Sequence, residues 1–165
     1  MTTDKLAAIV EQHRREMERR SAEAAAASRE EQLARDNIAS ILKQWIGQPY
    51  EALVLAIEDI NETVSTVGIN LSLHEITPSP MTSGLPSYSL VLSAAMSSSE
   101  RQLRINVRTT GEVSIQSMFL LSRGRYNASF PLAELTVEKW SDALVGFIES
   151  SALLGTPEAQ QPTET

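Results

Sequence analysis

Read in alternating steps of four and three, the first helical stretch carries Leu6, Val10, His13, Met17, Arg20, Ala24, Ala27, Glu31, Ala34, Ile38, Ile41 and Trp45 along one seam. That is the spacing of a coiled coil. No proline or glycine interrupts Asp4 to Ile46, and alanine, glutamate and arginine dominate, so one helix of roughly 60 Å is expected at 1.5 Å per residue. The seam is apolar at its ends, whereas His13, Arg20 and Glu31 occupy its middle, where charge without a partner is costly. Acid precedes base by four residues at Glu11/Arg15, Glu16/Arg20 and Glu31/Arg35. Such pairs contribute roughly 0.2 to 0.5 kcal/mol each and support a helix that packs on little. Two fates therefore stand side by side: a self-associating coil, and an arm that awaits another partner. Trp45 either ends the seam or anchors the arm on the domain C-terminal to it.

After Gly47 the segment QPYEALVLAIEDINETVSTVG predicts a second helix, with Pro49 in its first turn and Gly68 just past its end. Leu53, Ile57, Ile60, Val64 and Val67 form its apolar stripe, which predicts burial against a sheet. From Ile69 the period changes to two. Ile69, Leu71 and Leu73 mark one strand; TPSPMTSGLP is a loop; Ser87 to Met96 is a second strand, ended by the polar SSSE. Leu103, Ile105 and Val107 mark a third strand, and Val113, Ile115, Ser117 and Phe119 a fourth, across a turn containing Gly111. Ser122 to Gly124 then turns the chain into a short edge strand, Arg125 to Phe130, which Pro131 ends. Thr136 caps a last helix whose stripe is Val137, Trp140, Leu144, Phe147 and Ile148.

The expected fold class is α+β: a long N-terminal helix able to form a coiled coil, then a helix, an antiparallel meander of four to five strands, and a C-terminal helix packed on one sheet face. The expected domains are a helical arm or coiled coil over residues 1–47, an α+β domain over 48–155, and a disordered tail over 156–165. This order of elements is similar in topology to RWD-type modules of coiled-coil assemblies, without a shared sequence motif.

Composition narrows the chemistry more than it names it. With 165 residues, 42% hydrophobic, the chain is long enough for an ordinary core. It has no cysteine, which excludes disulfides, thiol catalysis and thiolate metal sites. The N-terminal stretch lacks the apolar segment of a signal peptide and no run is apolar enough to span a membrane, so the expectation is a soluble, cytoplasmic protein without a membrane partner. A net charge of −7 argues against binding nucleic acid with the whole surface, although residues 66–131 form the one third with more basic than acidic residues.

Glycine-rich phosphate loops, nucleophile elbows and paired-histidine metal motifs are absent from the sequence. His13 and His74 lie in different elements without ligand spacing. We therefore expect no enzyme activity, no cofactor and no metal.

Candidate contacts remain. If Leu103, Ile105 and Val107 face inward, Gln102, Arg104, Asn106 and Arg108 face outward, joined by Ser114, Gln116 and Met118 and by Arg125 or Asn127. Arginines beside amides suit a phosphate or an acidic protein, but no outward aromatic is available to stack bases, and outward arginines also serve simply to keep a sheet face solvated. Met118 and Leu120 on that face suggest partial cover.

The sequence thus points to a non-catalytic protein–protein interaction or assembly module. Leu6, Val10, Met17, Ile38, Ile41 and Trp45 would carry assembly, and Arg104, Arg108, Gln116, Met118 and Arg125 a second surface. Its partners would be a second copy of itself and another protein. One alternative is a small acidic chaperone resembling those of bacterial secretion, although the central helix among the strands is missing here. Another is an anion- or nucleic-acid-binding module that uses the arginine-bearing face.

Overall fold

A computed structural model describes residues 1–77, 83–95, 97–119 and 122–155, with the side chains of 97–100, 119, 122–126 and 152–155 outside the description. The expected loop over 77–86 is described only at its ends, and Leu120 and the expected tail lie outside. Among the described residues the chain is α+β, in the order α1 (Thr2–Ile46), α2 (Gln48–Val64), β1 (Ile69–Ile76), β2 (Ser87–Ala94), β3 (Ser97–Val107), β4 (Glu112–Phe119), β5 (Ser122–Pro131) and α3 (Val137–Gly155). It divides into two compact units, Met1–Ala39 and Ser40–Thr165.

The first unit is helix alone. Its side chains are exposed except for Glu11, Glu16 and Ile38, which are half-buried. Ion pairs run along it: Glu11 with Arg14 (2.8 Å) and Arg15 (3.1 Å), Glu16 with Arg19 (2.7 Å) and Arg20 (3.1 Å), Arg19 with Glu23 (3.0 Å), and Glu31 with Arg35. These are the three acid-before-base pairs expected from spacing, extended by the i,i+3 partners Arg14 and Arg19 and by the reversed i,i+4 pair of Arg19 with Glu23.

The second unit begins inside α1, at Ser40 rather than at the expected Gln48. Ile41 and Trp45 are only 4% and 1% exposed. Trp45 donates from Nε1 to Tyr88 Oη at 3.0 Å and lies against the rings of Tyr50, Tyr88 and Trp140, at centroid distances of 5.8, 5.7 and 6.3 Å. A ring of that size with a satisfied N–H is a natural core residue. Trp45 thus anchors the helix in the domain rather than ending a coil seam.

Five strands form one antiparallel sheet in sequence order, β1-β2-β3-β4-β5. Its inner face carries the fully buried Leu90, Leu103, Ile105, Val113 and Ile115. Against it α2 buries Leu53, Ala56, Ile57 and Ile60, and α3 buries Trp140, Ala143, Leu144 and Phe147. The two helices are joined by Trp140, whose Nε1 donates to the Pro49 carbonyl at 2.9 Å. Thr136 caps α3 as expected, its Oγ1 accepting from the Lys139 amide at 3.3 Å.

Several details differ from the sequence expectation. The SSSE segment begins β3 instead of ending β2, with Ser97 paired to Ala94 across the hairpin and the register shifting before Arg101 pairs with Leu92. β5 starts at Ser122, so the Ser122–Gly124 turn is not formed there. Val67 lies in a one-turn 3-10 helix, Ser65–Val67, whose tighter winding rotates it off the α2 stripe to 70% exposure. Val137 is likewise exposed, at the first position of α3. Gly68 stops the 3-10 turn with φ 76°, a left-handed conformation that glycine adopts without strain.

Candidate functional site

Two surfaces carry the residues that the sequence singles out. On α1, Leu6, Val10 and Met17 are 59%, 66% and 55% exposed, and Ile9, which the seam omits, is 61% exposed. A helix winds 100° per residue, so Leu6, Ile9, Val10, His13 and Met17 fall within one sector, while Glu11, Arg14, Arg15 and Glu18 lie off it. The arrangements of Arg14 and Arg15 around Glu11, and of Arg19 and Arg20 around Glu16, hold both carboxyls below the usual glutamate range. Hydrogen bonds to the guanidinium groups of Arg14 and Arg19 are the main causes. Ile38 is half-buried, whereas Ile41 and Trp45 belong to the domain core and offer nothing to a second chain.

The other surface is the sheet face away from α2 and α3. Register places His74, Ser89, Arg104, Gln116 and Asn127 in one row across all five strands. At about 4.8 Å between strands that row is about 19 Å long. A parallel row contains Ile76, Ser87, Asn106, Ser114 and Ser129, and the Ser87 hydroxyl donates to Asn106 Oδ1. Arg104 and Gln116 are direct cross-strand neighbours, both half-buried.

Arg108 stands apart from Arg104. It closes the β3–β4 turn, its amide donating to the Glu112 carbonyl at 2.9 Å while Gly111 takes φ 80°. With Ser114, Gln116, Asn127 and Ser129 it lines a shallow depression of about 390 Å³ at the β4–β5 end of the face. Cationic, amide and hydroxyl groups converge there, a set suited to carboxylate or phosphate oxygens. Met118 is 44% exposed on the same face, opposite Gln102. The pairing of β4 with β5 shifts between Gln116 and Met118, so that Asn127 faces Gln116 and Arg123 faces Met118. Arg125 lies within that irregular stretch, and its side chain is outside the description.

A polar residue that no spacing singles out closes the sheet on its other edge. Asn61 of α2 donates from Nδ2 to the Leu71 carbonyl and accepts at Oδ1 from the Leu71 amide, both at 2.8 Å. A side-chain amide thereby pairs with β1 as a neighbouring strand would. A lone asparagine on a helix carries no sequence signal for this role.

Among the described residues no cluster of three or more histidines, cysteines or carboxylates could hold a metal, and no helix is long and apolar enough to cross a membrane. No family model, curated protein or solved structure matches the chain.

Proposed function

We propose that this protein is a non-catalytic interaction and assembly module acting in the cytoplasm, which associates through residues 1–39 of α1 and presents the outer sheet face as a second binding surface to another protein. The observation that carries the reading is the exposed apolar sector of Leu6, Ile9, Val10 and Met17, flanked by the ion-paired Glu11, Arg14, Arg15 and Glu16. An apolar sector on a helix is stable in water chiefly when another surface covers it. For the sheet, support comes from the half-buried Arg104 and the depression beside Arg108, whose groups suit an acidic partner.

The test is solution mass by light scattering after size exclusion, on the full chain and on a chain beginning at Ser40, which keeps Ile41 and Trp45 in the core. A dimer or larger species for the full chain with a monomer for the shortened one is the expected result. Equal monomeric masses at the same concentration would remove self-assembly from the reading.

A further inference from the structure

We infer that the partner of α1 is a second copy of α1 lying antiparallel to it, in a register that sets Arg20 of each chain against Glu31 of the other. The inference rests on the assembly role proposed above and specifies its occupant, orientation and register.

The charged residues in the seam discriminate between the two orientations. In a parallel pair of identical helices each seam residue meets its own copy, so Arg20 would face Arg20 and Glu31 would face Glu31. Like charges would then meet twice in the most desolvated part of the contact. Reversing one helix removes the conflict. With Arg20 level with Glu31, Ala24 falls opposite Ala27, Met17 opposite Ala34, and His13 opposite Ile38. Each opposition joins the two kinds of seam position, one reached by a step of three and the other by a step of four, as antiparallel knobs-into-holes packing requires.

The same register uses the ion pairs already present. Arg20 holds Glu16 at 3.1 Å, and Glu31 holds Arg35. Across the interface these join into an alternating series, Glu16, Arg20, then Glu31 and Arg35 of the second copy, and the twofold axis repeats it. Every seam charge in that series has an opposite neighbour. Near the axis Ala24 and Ala27 let the backbones approach closely, and the bulk of Met17 meets the small Ala34.

At the rim the register brings Arg14 near Arg35 and Glu23 near Glu30 of the second copy. These positions remain in water, where salt screens them, and Arg14, Arg35 and Glu23 already have partners on their own helix. The seam therefore decides the orientation. The paired segment, residues 13 to 38, lies wholly in the first compact unit and leaves Ile41 and Trp45 in their own core; of the exposed apolar sector it covers Met17, while Leu6, Ile9 and Val10 extend beyond it.

The chain has no cysteine, so introduced thiols are unambiguous reporters of orientation. Met17→Cys and Ala34→Cys full-length chains, mixed and oxidised, are expected to form a 17-to-34 disulfide dimer, while neither self-links when alone. In the antiparallel pair the two positions 17 lie about 25 Å apart at 1.5 Å per residue, far beyond disulfide reach. Self-linking of Met17→Cys alone would show a parallel pair and overturn the inference. Absence of the mixed disulfide in a chain that light scattering shows to be dimeric would also overturn it while leaving assembly intact. A monomeric full chain would remove both.

Charge exchange gives a second readout. Arg20→Glu and Glu31→Arg should each weaken dimerisation about tenfold, and the double exchange R20E/E31R should restore it, because opposite charges again face each other. A double variant as weak as the single ones would overturn the register. All four positions are exposed in the single chain, so folding of the domain is not at stake.

Discussion

Residues 1–39 and residues 40–155 are held together by different physics. In the first unit the stabilising contacts lie within about one turn of each other, between charged side chains in water that solvent and salt screen, so each is weak. In the second they join residues far apart in sequence, through buried rings and sheet pairing. A single helix without a buried face gains cooperativity only from its neighbours along the chain, whereas the domain loses much of its stability when one interior group is removed. The transition occurs within α1, at its last turns.

The sharpest test of that division is Trp45→Ala. Removing a 1% exposed indole with its bond to Tyr88 should cost about 3 to 5 kcal/mol of domain stability, read from the denaturant midpoint. Leu6→Ala, on the same helix, should leave the domain midpoint unchanged at concentrations where the chain is monomeric. A small effect of Trp45→Ala would erase the boundary at Ser40.

Next in size is Asn61→Ala, which strips both hydrogen bonds from Leu71 and leaves its amide and carbonyl without that partner. We expect a loss of about 2 kcal/mol, seen as a lower melting temperature and faster amide exchange at Leu71. Unchanged exchange there would show that water replaces the side chain at no cost.

The smallest effect belongs to the first unit and is read by pH. Glu11 and Glu16 titrate below their unfolded range because arginines hold them, so their contribution is present above the unfolded pKa and is lost as pH falls through the lowered, folded values. Helicity assigned to residues 1–39 should therefore fall in acid by a modest amount, and 1 M salt at neutral pH should reduce it in the same direction. Helicity indifferent to both would mean that alanine propensity alone holds the helix.

The element order was legible because periodicity changes cleanly from helical to alternating at Ile69, and because Pro49, Gly68, Gly111 and Thr136 punctuate it. The point at which α1 enters the core was not, since Ile38, Ile41 and Trp45 continue the same four-three spacing whether the cover is another helix or a sheet. Polar SSSE gave no strand signal: it enters β3 through the pairing of Ser97 with Ala94, next to a register shift that no residue type marks. On the sheet face, alternation correctly grouped Arg104 with Gln116 and Met118, but the shift between β4 and β5 that selects Asn127 as the neighbour of Gln116 depends on backbone irregularity with no residue signature. Leu85, fully buried, reads in sequence only as part of a loop because glycine and prolines surround it.

The bond from Trp140 to the Pro49 carbonyl spans 91 residues, whereas each strand of the meander pairs with the one before it. During synthesis the hairpins can close as they emerge, but the clasp between α2 and α3 must wait until α3 has been made. Until then the apolar side of the nascent sheet is covered by α2 alone. Completion of this domain therefore waits for the synthesis of α3, and a chain lacking α3 would leave Leu103, Ile105 and Ile115 with less cover.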